Sequence, residues 1–153
     1  MKRSDREIKD QKEIETVIER ADICRIGLAD GDMPYIVPMD FGYKDNCLYF
    51  HCAKEGKKID IIKRNNNACF EMDIDHTLVK PEGRPCGWNA KYQSVIGFGK
   101  AFIVKSFEEK SEAMNIVTQH YGGDDYPFSK DELKKISIIK IEIATITGKK
   151  AGY

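Results

Sequence analysis

Hydrophobic positions recur along this chain at two periods, and the period switches several times. Ile14, Val17, Ile18 and Ala21 fall three and four apart behind Asp10-Gln11-Lys12-Glu13, which has capping-box spacing, so an amphipathic helix is predicted over residues 10–21. The period then drops to two. Cys24, Ile26 and Leu28 alternate with Arg25 and Gly27 up to Asp30-Gly31, a dipeptide whose tolerance of positive φ suits a hairpin turn. Residues 34–43 resume the alternation with Tyr35, Val37, Met39, Phe41 and Tyr43 on one side. Pro38 interrupts the other side. A proline donates no ladder hydrogen bond, so it marks an edge or a bulge where neighbouring backbone could face a ligand. Residues 47–53 return as a strand with Leu48, Phe50 and Cys52 on one face and Tyr49 and His51 on the other.

Further along, Ile59, Ile62 and the aliphatic stem of Lys63 predict a short helix that Asn65-Asn66-Asn67 stops. Ala68, Phe70, Met72 and Ile74 then alternate with Cys69, Glu71, Asp73 and Asp75, the pattern of a strand with one wet face. Residues 81–88 are rich in turn formers and deliver Trp88, which either covers a core edge or stacks on a ligand. Residues 92–104 form a long period-2 run. Gly97-Phe98-Gly99 within it lacks the third glycine and following helix of a dinucleotide fingerprint and reads instead as room for the strand to coil. Ser106…Glu109 and Ser129…Glu132 cap two helices separated by Gly122-Gly123, and Ile139, Ile141, Ile143 and Thr145 mark a last strand. About six strands joined mostly by tight turns, without strict β-α alternation, predict a mainly β protein with peripheral helices. A closed or split antiparallel barrel leaves fewest exposed edges. One domain over residues 1–153 accommodates this pattern.

Charge narrows the partners. Lys plus Arg equals Asp plus Glu at 25 each, so no net field favours nucleic acid or an anionic membrane, and any anion site must be local. No apolar run approaches the ~18 residues of a membrane-spanning helix, and Met1-Lys2-Arg3-Ser4-Asp5-Arg6 is too charged for a signal peptide, which points to the cytoplasm. Five cysteines without a C-x-x-C pair, four of them inside apolar strand-like runs, read as reduced, buried thiols rather than a disulfide frame or zinc site. His51, His76 and His120 lie in separate segments, so no metal centre is expected.

The candidate chemistry sits in residues 49–58, Tyr-Phe-His-Cys-Ala-Lys-Glu-Gly-Lys-Lys, where a strand meets the start of a helix. A helix N-terminus carries free N–H groups and partial positive charge, so Lys57 and Lys58 in the first turn are electrostatically misplaced unless an anion joins them. A bound phosphate would resolve the conflict; the alternative is a solvated lysine pair.

Gly31…Pro34-Tyr35-Ile36-Val37-Pro38-Met39, Tyr49-Phe50-His51-Cys52-Ala53…Gly56-Lys57-Lys58 and Tyr92-Gln93-Ser94-Val95…Gly99-Lys100-Ala101 occur in that order. Together they resemble the nitroimidazole-resistance (nitroimidazole reductase) branch of the pyridoxamine 5'-phosphate oxidase-like flavin-binding split barrels. The resemblance implies a homodimer of six-stranded antiparallel split barrels with FMN at the interface, lined by residues of both chains. It would place the backbone of Val37, Pro38, Met39 and Asp40 against the flavin ring and Phe50, His51, Cys52 and Ala53 beside it. Lys57 and Lys58 would hold the phosphate, and Tyr92, Ser94 and Val95 would complete the pocket. His51 matches a histidine that this branch carries beside the flavin, either as a proton donor or as a structural group. The implied activity is FMN-dependent reduction of a nitroaromatic or related small acceptor, with a non-catalytic flavin- or haem-binding module as the alternative. The phosphate-binding strand motif and the substrate-binding C-terminal segment of the pyridoxamine phosphate oxidases proper are not recognisable.

Overall fold

The computed structural model describes residues 4–153; Met1-Lys2-Arg3, part of the charged start weighed above, lie outside the described residues. After one 3-10 turn come β1 (Glu7–Ile8), α1 (Gln11–Arg20), β2 (Cys24–Asp30), β3 (Met33–Met39), β4 (Gly42–Lys44) and β5 (Cys47–Ala53). Then follow α2 (Lys57–Arg64), β6 (Asn67–Val79), β7 (Asn89–Val104), α3 (Phe107–His120), α4 (Lys130–Leu133) and β8 (Ile136–Ala151). The strands form one antiparallel sheet in the order β3-β2-β6-β7-β8-β5-β4, with β1 added beside β8. Six strands were expected and eight are present among the described residues. The two-residue β1 has no hydrophobic period to announce it, and the predicted strand 34–43 is two strands because the chain leaves the ladder at Asp40-Phe41.

The alternation selects the buried face. Ile26, Phe70, Met72, Val95, Ile139 and Ile141 project inward and are almost wholly buried, with Phe41 and Phe50 closing the core. A Cβ at Gly97 would run into the Phe70 ring, and one at Gly99 into the Glu142 carbonyl. The β7–β8 register shifts between Phe98 and Gly99, so the two glycines permit close packing at the point where the strand bends.

The helices close the periphery. Asp10 accepts from the Lys12 N–H, and Ser129 with Glu132 completes a reciprocal capping box. In α2 the buried residues are Ile59, Ile61 and Ile62, whereas Lys63 points to solvent, so its stem does not serve as the expected apolar position. Asn65 ends the helix. Trp88 is 41% exposed with the Lys80 ammonium 4.8 Å above its ring. It therefore neither covers the core nor faces the cleft described below. The five cysteines are unpaired: Cys24 and Cys52 buried, Cys47 and Cys69 half-buried, Cys86 exposed. Among the described residues no helix is long and apolar enough to cross a membrane.

Candidate functional site

No hydrogen-bonded ladder joins β3 to β5, although both run into the same region. Between them lies a cleft of about 360 Å³ lined by Val37, Pro38, Met39 and Asp40 on one wall, His51, Cys52 and Ala53 on the other, and Lys58 and Ile23 between. The cleft is thus the gap where two distant parts of the strand order approach without pairing. Each wall is a direct product of local sequence. Pro38 sits in an edge strand that pairs only with β2, as its missing N–H requires, and no bulge interrupts that pairing. Gly56, at φ 135°, lets the chain leave β5 and enter α2 at once.

Lys58 is half-buried in the first turn of α2 and has no ion-pair partner among the described residues. Beside it, burial pushes the Cys52 thiol pKa above its ordinary value, and the Lys58 charge pulls partly against that shift. The thiol stays neutral, so it offers the lysine no counter-charge. His51 is exposed to the cleft. The wall therefore offers one uncompensated cation, one imidazole and an unpaired strand edge.

The remaining residues singled out by sequence lie elsewhere. Phe50 is wholly buried in the core, so only its backbone runs beside the cleft. Lys57 turns away from Lys58: its ammonium is 3.5 Å from the Asp30 carboxylate and 5.3 Å above the Tyr35 ring. Asp30 also receives Arg64 at 2.7 Å, and the guanidinium hydrogen bond does most to hold this carboxyl below its usual range. Tyr92, Ser94 and Val95 belong to β7, outside this cleft, and Val95 is wholly buried. The Tyr92 phenol is drawn below its ordinary pKa, first by a hydrogen bond from Lys149 and then by Arg6. Sequence reasoning missed Ile23, whose signal was an apolar residue on the wet side of the β2 alternation, 43% exposed in the structure.

An antiparallel barrel left open at one seam, with a cation and a free strand edge at the opening, is the flavin-binding split-barrel class of fold. A family profile described as Pyridoxamine 5'-phosphate oxidase matches residues 10–150, and the chain belongs to the pyridoxamine 5'-phosphate oxidase-like family. A solved structure of a provisionally named 5-nitroimidazole antibiotic resistance protein from Bacteroides thetaiotaomicron shares 35% identity, covers 94% of this chain and 85% of its own, and superposes with a TM-score of 0.83. The flavocytochrome Anf3 from Azotobacter vinelandii (16% identity, 96% and 70% coverage, TM-score 0.83) shares the fold. So does the FAD and haem binding protein from Mycobacterium smegmatis (12% identity, 97% and 74% coverage, TM-score 0.86). No curated protein matches the chain.

Proposed function

We propose that the protein is an FMN-dependent oxidoreductase that reduces a nitroaromatic or related small acceptor and works as a homodimer. The observation that carries this reading is the convergence of residues 37–40, residues 51–53 and the unpaired Lys58 on one cleft. The residues present suit the group. Lys58 supplies the uncompensated charge that a phosphate needs, the strand edge at Val37–Asp40 supplies backbone for a planar polar ring, and Ile23 and Met39 supply apolar surface. A bound flavin would supply the redox chemistry. The chain's own part is to hold the phosphate at Lys58 and orient the ring along β3. His51 lines the cleft, where its imidazole would serve as the proton donor to an acceptor undergoing reduction. The 35% identical protein named for nitroimidazole resistance supports the choice of acceptor.

A second copy is supported by the outer face of the sheet. Ile36, Gly27, Cys69 and Phe98 are direct cross-strand partners in one row, and Pro38, Arg25, Glu71 and Ile96 form the next. Ile36 is 70% exposed and Phe98 58%, so an apolar stripe borders the cleft on the face that Pro38 shares. Tyr92 and Ser94 stand on that same face of β7. A partner packed on the stripe would bring their counterparts towards this cleft.

Purification tests the reading. The protein should be yellow, or become so with added FMN, run as a dimer, and show flavin reoxidation by a nitroimidazole but not by the matched imidazole without the nitro group. A colourless protein that stays colourless with FMN sinks the proposal; a Soret band in place of flavin absorbance makes the chain a haem-binding module.

A further inference from the structure

The end of α3 reaches two pieces of backbone with a single hydroxyl. The Phe41 N–H donates to Tyr121 Oη at 3.0 Å, and Tyr121 Oη donates onward to the Asp22 carbonyl at 2.8 Å. Next to it, His120 Nε2–H donates to the Ala21 carbonyl at 2.8 Å while its ring packs on Phe41 with centroids 4.2 Å apart. Both groups that Tyr121 bonds are adjacent to a cleft residue. Asp22 precedes Ile23, and Phe41 follows Asp40. Cys24 pairs with Met39, so these bonds grip the open end of the β2–β3 hairpin.

The other wall is fixed to the same helix. Ile116 and Val117 of α3 pack so closely on β4 that a Cβ at Gly42 would overlap their backbone, and Gly42 in turn pairs with Tyr49 of β5. Apart from the covalent link at Asp40-Phe41, no strand pairing sets the distance between the β3 and β5 walls. From this geometry we infer that Tyr121, assisted by His120, is a positioning residue: it fixes the β3 wall to the helix that carries the β5 wall and so sets the width of the cleft. The inference rests on the flavin reading for its functional consequence, but the mechanical claim concerns the chain alone. A cleft loosened by losing such support binds its ligand less tightly without unfolding.

Tyr121→Phe removes both bonds, keeps the ring against His120, and leaves no void because Tyr121 is 46% exposed. Two measurements are compared with the unsubstituted protein: FMN affinity by fluorescence titration, and amide hydrogen exchange of the flavin-free protein. The expected result is an FMN dissociation constant about 3- to 10-fold higher, as for loss of one or two hydrogen bonds. Exchange should be faster at residues 22–24 and 40–42, with unchanged protection in β6–β8. His120→Ala should quicken exchange at residues 21–23 while leaving the Phe41 amide protected. Unchanged exchange at both segments overturns the inference. So does faster exchange throughout β6–β8 with a lower melting temperature, which would make Tyr121 a general structural residue. Should the unsubstituted protein bind no FMN, the flavin reading fails, and the exchange comparison still decides the positioning role.

Discussion

The centre of the sheet and its seam are built on opposite rules. In β6, β7 and β8 the ladders run almost uninterrupted from Asn67–Lys100 to Val79–Asn89 and from Tyr92–Ala151 to Val104–Ile138, and the inward side chains are apolar. At the seam the ladder stops, a proline occupies an edge strand, a half-buried lysine has no counter-ion among the described residues, and a histidine faces solvent. The difference shows that folding satisfies the backbone and charge of the centre and leaves both open at the seam of one continuous sheet. Backbone and charge left unsatisfied by folding collect where strand pairing ends, and that is where a ligand can satisfy them.

Phe50 is the sharpest point on which to break this division, since it belongs to the seam by sequence position and to the core by burial. Phe50→Ala should destabilise the protein by about 3–5 kcal/mol, the cost of deleting a large buried aromatic. Urea denaturation would show it, and any loss of FMN binding should vanish under conditions where the variant is fully folded. A variant as stable as the parent but unable to bind would move Phe50 to the cleft.

On the seam side, Lys58→Ala should raise the FMN dissociation constant about 10- to 100-fold, as for loss of a charge-assisted contact. Its melting temperature without flavin should not change, because no pair is broken among the described residues. A parallel loss of stability and affinity would erase the distinction between the two regions.

The core also carries a titratable group of its own. Cys24 is buried and lies near Glu71; burial raises its pKa far above the ordinary 9.0, Glu71 adds to the shift, and Arg25 only partly opposes it. An acid whose folded pKa is raised keeps its proton longer in the folded than in the unfolded chain. Its contribution is complete below the unfolded value and is lost as pH rises towards the folded one. Stability should therefore fall above about pH 9.0, by up to roughly 1.4 kcal/mol per pH unit for one such proton. Urea midpoints measured between about pH 8 and about pH 10.5 should fall less steeply for Cys24→Ala than for the parent. Equal slopes would remove Cys24 as the cause.

The strands of the centre were legible because one wet and one dry face impose period two on Ala68–Ile74 and on residues 92–104. From the residues themselves the seam was legible only through broken rules, Pro38 in a strand and lysines at a helix start; its other lining residues came from the family resemblance. What was not legible depended on contacts far apart in sequence. The grip of Tyr121 on Phe41 spans 80 positions and that on Asp22 spans 99, and no local period encodes either. The break at Asp40-Phe41 was hidden because Phe41 keeps the alternation of residues 34–43 while turning into the core.

Lys57 offers the smallest and most discriminating test. Adjacent positions at the start of a helix are turned about 100° from each other, so two neighbouring lysines need not serve one anion. Lys57 lies on Asp30 and over Tyr35, whereas Lys58 lies in the cleft. Surface pairs of this kind contribute little and weaken with salt, so Lys57→Ala should leave the melting temperature unchanged. Its effect on FMN affinity should be about threefold or less, the long-range influence of one nearby charge, and should fade at high salt. The Lys58 effect should persist there, since a direct contact is screened less. Equal, salt-resistant losses for the two lysines would instead mean that Lys57 leaves Asp30 and joins the phosphate when FMN binds.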